Sequence, residues 1–422
     1  MAAPQVRASA PIVTFLLNPR AGRRVLGAAL HYGALCLLLT ACSEFVSTEF
    51  DATDAEAMRY AQTGDLRAEV DSVVQPLIAQ GDTPGAEVGI LLPDGSMQFF
   101  GYGVADRDTG RKPDADTLFA VGSLSKAFLG TLTDLLAQEG RLSWNDTLDD
   151  AMPADAKASR DARNITLLQL ATHTSGLSRQ PYTRPMLMPF FYYLFTGESF
   201  YDRLDQDFMF DYLSSFSAPR TVEYNYSNIG YGLLGYAIER ETGQTLDALL
   251  QRDIVAPLGL TETGYVPEAL PGYAVRAHGY AGDQPKFIRR GASVPDWKFT
   301  PLMRGSAGLY SSARDLLLFA RAHFDNADTP LGRAMIDTLR VRLPLAHKSS
   351  AIAWTVDDAD GQEISYMLGV VAGYTSYLGL DVGHRTAIVV LRNTFSWDES
   401  IGSRLLVRLA QAQDRLARRG GR

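Results

Sequence analysis

The stretch Thr117-Leu118-Phe119-Ala120-Val121-Gly122-Ser123-Leu124-Ser125-Lys126 ends in a serine and a lysine three residues apart. Apolar residues then follow at helical spacing: Phe128, Leu129, Leu132, Leu135 and Leu136. Residues three apart share one face of a helix, so the Lys126 amine can reach the Ser123 hydroxyl. Serine becomes a nucleophile when a base removes its proton, and a partly desolvated lysine with a lowered pKa can be that base. The N–H groups at the start of the helix can stabilise an oxyanion.

A second chemical feature is Tyr226-Ser227-Asn228, the one Tyr-x-Asn sequence in the chain. It precedes a helical pattern, so its tyrosine lies on a loop. A tyrosine beside a Ser/Lys pair can pass a proton to a leaving group, and an asparagine amide can both donate to and accept from a substrate. Each feature alone has an ordinary alternative. The first is also typical of an exposed helix start with a surface lysine, and the second of a capping asparagine beside a core tyrosine.

Together, in this order and spacing, these stretches resemble the penicillin-recognising serine hydrolases. That family comprises class C β-lactamases, D-alanyl-D-alanine carboxypeptidases and related esterases. Further matching stretches are His173-Thr174-Ser175-Gly176-Leu177, Ala256-Pro257-Leu258-Gly259-Leu260 and Gly305-Ser306-Ala307-Gly308-Leu309-Tyr310-Ser311-Ser312-Ala313-Arg314-Asp315-Leu316. The resemblance covers residues 66–412.

The resemblance implies an acyl-enzyme mechanism with Ser123 as nucleophile, Lys126 as its base and Tyr226 as proton relay. Asn228 would contact the substrate, and the Ser123 N–H would supply one oxyanion donor. His173 belongs to a motif that is mostly structural in the family, which implies a loop histidine with satisfied hydrogen bonds. No cofactor and no metal are implied. The substrate would be a small-molecule ester or amide, or a fragment derived from peptidoglycan.

The third family element departs from the pattern. Relatives carry Lys-Thr-Gly or His-x-Gly on a strand facing the nucleophile, a few residues before a Gly-aromatic-x-Ser turn. Here Gly373-Tyr374-Thr375-Ser376 matches the turn, which places Met367-Leu368-Gly369 at the motif. Gly369 is kept, and the Val370 N–H can supply the second oxyanion donor. Met367, however, stands where relatives have a cation.

The missing cation affects which substrates the site favours, because a charge-assisted hydrogen bond to a substrate carboxylate contributes about 1.5–3 kcal/mol. Esters or small amides without a carboxylate are therefore favoured over the substrates of D-Ala-D-Ala carboxypeptidases and β-lactamases. Two alternatives stay open at this position: the strand register slips by one residue, or Arg220 or another basic residue supplies the charge from a loop. A non-catalytic, cell-wall-binding lipoprotein is a further alternative.

The two ends of the folded part show strand patterns, and the middle shows helical ones. Strands are predicted at 86–92, 96–104, 365–370, 374–381 and 386–391, and terminal helices at 66–78 and 399–416. Further helices are predicted at 123–138, 166–172, 228–242, 246–254 and 312–324. We therefore predict an α+β fold, β-lactamase/transpeptidase-like by the resemblance, with an antiparallel sheet built from both chain ends. The domain would span 64–420, with the sheet from 64–106 and 360–420 and the helical region from 107–359.

The composition argues against a nucleic-acid partner and a metal site. The chain has 422 residues and a net charge of −8, which argues against a nucleic-acid partner. Two cysteines and six dispersed histidines show no metal-ligand spacing.

An aromatic and methionine-rich segment at 185–212 lies where family members vary. Three roles are open for it: packing of a subdomain over the cleft, an apolar pocket for an acyl or leaving group, or contact with a bilayer.

The amino terminus predicts export. Arg23-Arg24 precede an apolar run at 25–41, as in a secretory signal. The run ends in Leu39-Thr40-Ala41-Cys42, which resembles the bacterial lipobox and predicts a lipid on Cys42. Residues 1–41 would be the lipoprotein signal peptide and 42–63 a flexible tether. The protein would face the periplasm from the outer membrane or the cell membrane. The alternatives are an uncleaved anchor helix and cleavage without lipidation.

Overall fold

The computed structural model describes residues 60–420, apart from 61, 82, 326, 346, 347, 360 and 399. The predicted signal peptide, Cys42 and most of the predicted tether lie outside the described residues. Among those that are described, no helix combines the length and apolar character that crossing a bilayer requires.

A seven-stranded antiparallel sheet lies at the centre, in the order β2-β1-β9-β8-β7-β6-β5. Its strands are β1 (Gly85–Leu91), β2 (Met97–Gly103), β5 (Lys348–Ser350), β6 (Thr355–Ala359), β7 (Gln362–Val371), β8 (Tyr374–Asp381) and β9 (Thr386–Arg392). A separate two-stranded ladder pairs β3 (Phe119–Ala120) with β4 (Tyr310–Ser311). Strand β1 lies between β2 and β9, with Val88 opposite Val390. The predicted sheet from both chain ends is confirmed.

The sheet extends further than the sequence patterns indicated, because β5 and β6 lie within the region assigned to helices. Strand β6 reads Thr-Val-Asp-Asp-Ala and β5 has three residues. Neither shows the apolar alternation that marks a half-buried strand. Pairing with β7, where Thr355 lies opposite Tyr366, makes β6 a strand.

Two terminal helices cover one face of the sheet: α1 (Leu66–Ala79) and α14 (Ser400–Gly420). Leu66, Val70 and Val74 of α1 are buried, as are Leu405 and Leu409 of α14. Burial of such side chains contributes about 1.5–3 kcal/mol each. The two helices are also joined by a buried ion pair in which Arg408 Nη1 lies 2.8 Å from Glu69 Oε1. These contacts hold the two terminal helices together on the face of the sheet away from the helical region.

The helical region covers the other face. Its helices are α2 (Ser125–Gln138), α3 (Leu148–Ala151), α4 (Arg160–Arg163), α5 (Leu167–Ala171), α6 (Leu187–Thr196), α7 (Gln206–Ser214), α8 (Asn228–Thr242), α9 (Leu246–Leu250), α10 (Ala256–Leu258), α11 (Arg304–Ala307), α12 (Ala313–Asp325) and α13 (Pro330–Thr338). Helix α12 packs on β1 and β9, and α2 packs against α11 and α13. Every residue of α2 from Ser125 to Leu136 is buried. Because α2 is buried on all sides, its first turn is held in place; that turn carries Lys126, and the turn just before it carries Ser123.

Candidate active site

The turn that carries Ser123 is a short 3-10 helix, Gly122–Leu124, which leads into α2. Gly122 has a φ of +53°, and a Cβ built on it would lie 3.1 Å from the backbone of Val370. Both the positive φ and the close approach require glycine. The turn therefore rests directly on β7, and Ser123 is 8% exposed.

Lys126 contacts the nucleophile as the sequence spacing predicts. Its Nζ lies 3.0 Å from Ser123 Oγ, and it donates to Asn228 Oδ1 at 2.9 Å and to Ser306 O at 2.5 Å. The side chain is fully buried. Burial, together with the nearby charge of Arg179, holds the pKa of Lys126 well below its usual range. A neutral amine at this position can accept the Ser123 proton.

Tyr226 is the second side chain that contacts Ser123. Its hydroxyl donates to Ser123 Oγ at 2.7 Å. Burial raises the pKa of the Tyr226 phenol, whereas the Arg179 charge and the hydrogen bond to Ser123 lower it. The phenol therefore keeps its proton at neutral pH and can give it to a leaving group. The three residues assigned to catalysis thus meet at one oxygen atom.

Gly369 lies directly behind the nucleophile. A Cβ at this position would lie 3.1 Å from Ser123 N and 2.2 Å from Val121 O, so a larger residue would push β7 away. On the neighbouring strand β8, Ser376 Oγ donates to Val121 O at 2.7 Å. These contacts hold the nucleophile turn against the middle of the sheet.

The backbone of Val370 can provide an oxyanion donor. The loop between β7 and β8 has two residues, and the pair that closes such a hairpin is hydrogen-bonded. Val370 belongs to the next pair, whose N–H groups point away from the partner strand. Strand β6 begins at Thr355, opposite Tyr366, and so does not reach Val370. The Val370 N–H is therefore outside both ladders and beside the turn that holds the Ser123 N–H.

Met367 lies on the same face of β7 as Gly369, because side chains alternate along a strand. It is 5% exposed and belongs to the apolar core on the helical side, whereas Leu368 packs toward the terminal helices. In the observed pairing Met367 lies opposite Leu378 and Gly369 opposite Ser376, and a contact of Met367 with substrate stays a prediction. Strand β7 contains no basic residue. The cation that relatives carry on this strand is therefore absent from it.

A cation that the sequence motifs did not identify lies beside the site. Arg179 Cζ is 5.0 Å from the centre of the Tyr226 ring, whereas Arg220 is an exposed residue of a loop. Three consecutive carbonyls hold the Arg179 loop to the Tyr-x-Asn turn: Leu177 O accepts from Asn225 Nδ2 at 3.1 Å, Ser178 O from Ser227 Oγ at 2.8 Å, and Arg179 O from Asn228 N at 3.1 Å. The one available signal in the sequence is the position of Arg179, two residues after the His-Thr-Ser-Gly-Leu stretch.

Asn228 holds its neighbours in place. Its Oδ1 accepts from Lys126, and its Nδ2 donates to Tyr201 Oη at 2.8 Å. Tyr201 belongs to the aromatic segment at 185–212, so that segment reaches the catalytic residues. Neither Tyr201 nor Ser306 was identified from the sequence as part of the site. The substrate contact assigned to Asn228 stays a prediction.

His173 has a structural role, as its motif implies. Its Nδ1 accepts from Ser227 N at 3.1 Å, and its ring packs on Tyr226 with centroids 4.4 Å apart. Burial holds the pKa of His173 well below its usual range, and the charge of Arg179 lowers it further. A neutral, hydrogen-bonded imidazole supports the tyrosine loop and carries no charge at neutral pH.

Several curated proteins are similar to the chain. It is 30% identical to a β-lactamase of Pseudomonas fluorescens over 280 residues, which cover 65% of this chain and 70% of that protein. It is 26% identical to penicillin-binding protein 4 of Amycolatopsis lactamdurans over 331 residues, or 74% and 81% of the two chains.

Solved structures show the same fold. A class C β-lactamase from Rhodobacter sphaeroides superposes with a TM-score of 0.67 at 24% identity, covering 81% of this chain and 98% of that one. The D-alanine carboxypeptidase AmpC from Burkholderia cenocepacia superposes with a TM-score of 0.67 at 24% identity, covering 82% and 99%. The family model described as Beta-lactamase matches residues 70–413. With its family fold and the Ser/Lys/Tyr arrangement described above, the chain belongs to the β-lactamase family of serine hydrolases.

Proposed function

We propose that the protein hydrolyses neutral esters or small amides through an acyl-enzyme on Ser123. The observation that carries this proposal is the surroundings of one atom, Ser123 Oγ. It lies 3.0 Å from Lys126 Nζ and 2.7 Å from Tyr226 Oη. One partner can take a proton and the other can give one, which is what nucleophilic attack and loss of a leaving group require.

In the acylation step, Lys126 Nζ takes the Ser123 proton as Oγ attacks the substrate carbonyl. The N–H groups of Ser123 and Val370 stabilise the oxyanion of the tetrahedral intermediate. Tyr226 gives its proton to the leaving oxygen or nitrogen as the bond to the acyl carbon breaks. The products of this step are the acylated serine, a lysine ammonium and a tyrosine phenolate.

In the deacylation step, the Tyr226 phenolate takes a proton from water as the water oxygen attacks the acyl carbon. Ser123 Oγ leaves and recovers its proton from the Lys126 ammonium. The acid product departs, and all three side chains return to their starting protonation states. The nearby Arg179 guanidinium favours the phenolate intermediate, because the two groups have opposite charge.

The preference for neutral substrates rests on Met367. This buried, apolar side chain stands on the strand behind the nucleophile, where relatives carry a cation. A carboxylate-bearing substrate would lose a charge-assisted hydrogen bond there, worth about 1.5–3 kcal/mol. The second candidate function, hydrolysis of acyl-D-Ala-D-Ala or of β-lactams, is favoured by Arg179, which brings a cation to the site from another side.

Two covalent probes test the proposal on the full chain. A fluorophosphonate should label the wild-type protein and leave Ser123→Ala unlabelled, and a fluorescent penicillin should label neither well. In the same preparation, kcat/KM for a neutral p-nitrophenyl ester should exceed that for an acyl-D-Ala-D-Ala peptide. Strong penicillin labelling with faster peptide turnover would support the second candidate. Absence of labelling by both probes would favour the non-catalytic, cell-wall-binding protein.

We also propose that the protein is exported and anchored through a lipid on Cys42, at the periplasmic face of the outer membrane or the cell membrane. The support is the Leu39-Thr40-Ala41-Cys42 sequence after the Arg-flanked apolar run. A multiply acylated cysteine gives the two hydrophobic signals that stable anchoring needs. Mass spectrometry of the mature protein tests this proposal, since an unmodified Cys42 in a cleaved chain would contradict it.

A further inference from the structure

One face of helix α6 is strongly apolar and exposed. We call its residues, together with one from a neighbouring loop, the aromatic surface: Met188, Phe191, Tyr192, Phe195 and Phe287. Their side chains are between 50% and 69% exposed. The opposite face of α6 buries Phe190 and Tyr193 in the core. The helix is therefore apolar on both faces, and only one of them is packed against the protein.

The two segments of the aromatic surface have a fixed arrangement, because two hydrogen bonds join the loop at 284–297 to the end of α6. Phe287 N donates to Leu194 O at 3.0 Å, and Trp297 Nε1 donates to Gly197 O at 3.0 Å. The rings of Phe195 and Phe287 stack with centroids 4.5 Å apart. Exposed side chains from two segments are thus held next to each other.

Basic residues predominate among the charges around this surface. Four exposed basic residues lie on the same two segments or just before them: Arg184, Lys286, Arg289 and Arg290. Arg290 pairs with Asp283, whereas Lys286 and Arg289 form no ion pair in the described part of the chain. Acidic residues nearby are fewer: Asp283 pairs with Arg290, Asp296 pairs with Arg276, and the exposed Glu198 follows the end of α6. The surface is therefore apolar at its centre and basic at its edge.

We propose that the aromatic surface docks on an anionic lipid bilayer, with its aromatic rings at the level of the headgroups. Helix α6 has ten residues and a length of about 15 Å, so it can lie in the interface and not cross it. Aromatic residues with basic neighbours are typical of interfacial helices, which bind through buried apolar area and attraction to anionic lipids. The proposal does not depend on catalysis.

Two other occupants fit the surface less well. A second copy of this chain, docked through the same face, would bring Lys286 and Arg289 against themselves, and like charges oppose association. A long acyl chain of a substrate needs a concave pocket, whereas these side chains project from an exposed helix. An anionic bilayer complements both the apolar centre and the basic edge.

A fluorophore within the aromatic surface measures directly whether this surface contacts a bilayer. In the full chain with Cys36→Ser and Cys42→Ser, Met188→Cys carries an environment-sensitive fluorophore. The matched control carries it at Val382→Cys, an exposed apolar position in the turn between β8 and β9. With vesicles of phosphatidylglycerol and phosphatidylethanolamine, emission at position 188 should shift to the blue and position 382 should not respond. Vesicles of phosphatidylcholine should give little response.

A charge variant supplies the second arm of the test. With Lys286→Glu and Arg289→Glu, the lipid concentration that gives the half-maximal response at position 188 should rise about tenfold or more. Added salt should also raise it when residues 286 and 289 are unchanged. Labelling by the fluorophosphonate shows that each variant is folded. No response at position 188, or equal responses at 188 and 382, would overturn the proposal. So would a dimer in sedimentation velocity that Phe191→Ser abolishes while vesicles have no effect.

Discussion

The guanidinium of Arg179 lies over the ring of Tyr226, with Cζ 5.0 Å from the ring centre. Such an arrangement is attractive because the face of an aromatic ring carries partial negative charge. The attraction grows when the phenol loses its proton, since a full negative charge then forms beside the cation. Arg179 is therefore a positioning residue for acid–base chemistry that occurs on Tyr226 and Lys126.

Replacing Arg179 by methionine should change the pH dependence of hydrolysis. The charge of Arg179 lowers the pKa of both Lys126 and Tyr226. Without it, Lys126 becomes neutral only at higher pH, so the acidic limb of the kcat/KM profile should move upward. Tyr226 should become a weaker acid, and the maximal rate should fall by about tenfold. Arg179→Lys should restore part of both effects. A loss of rate with an unmoved profile would indicate a structural role alone.

Removing the nucleophile or its base should abolish turnover. Ser123→Ala and Lys126→Ala should each reduce kcat to background, and the double variant should lose little more, because residues that act as a unit are not additive. Tyr226→Phe should lose about 10²–10⁴-fold in kcat, the usual contribution of a general acid or base. Steady-state kinetics on a neutral ester measure all four.

Ser125→Ala is the matched control for these variants. Its hydroxyl donates to Gly122 O at 2.6 Å and accepts from Leu309 N at 3.0 Å, so it holds the turn and does not reach the lysine amine. This variant should label with fluorophosphonate, at reduced stability. Turnover that survives Ser123→Ala but not Ser125→Ala would contradict the assignment of the nucleophile.

A lysine at position 367 should improve the recognition of carboxylates. Met367 shares a face of β7 with Gly369, so the new ammonium would project toward the helical side, where Ser123 lies. We expect Met367→Lys to gain about tenfold or more in kcat/KM on an acyl-D-Ala-D-Ala peptide, which corresponds to ~1.4 kcal/mol of transition-state stabilisation. The neutral ester should not share the gain. Leu368→Lys places the same charge on the opposite face and should give none. A wild-type enzyme that already prefers the peptide, unchanged by Met367→Lys, would contradict the substrate inference.

The stability of the sheet should fall as pH rises, through Glu87. This carboxyl lies in β1 and is buried, and burial, with a smaller effect of the Asp114 charge, raises its pKa from 4.5 to about 8. The folded state therefore keeps a proton that the unfolded state loses between these two values. The free energy of unfolding should decrease across that window by up to about 1.4 kcal/mol per pH unit.

Glu87→Gln should remove this contribution and flatten the slope. Urea denaturation at several pH values between 5 and 8 measures it, with the exposed Glu363→Gln as control. If wild type and Glu87→Gln show parallel profiles, the carboxyl does not have a raised pKa.

Local chemistry could be predicted from the sequence because it depends on neighbours in the chain. The Ser123/Lys126 contact follows from helical spacing. Alternation along β7 put Met367 and Gly369 on one face. The observed helix Asn228–Thr242 has the predicted bounds, because a serine caps its start and a glycine follows its last residue. In each case the interacting groups are within a few residues of each other.

Tertiary structure alone decided how the site is completed. Tyr226 donates to a serine 103 positions away, and Ser306 accepts from a lysine 180 positions away. No local pattern places Arg179 over the Tyr226 ring, because three hydrogen bonds between two loops set that position. Strand β6 likewise exists through pairing with β7, since its own residues have weak preferences. Side chains far apart in the chain are brought together by packing against a common sheet, and that packing depends on many residues at once, not on any single motif.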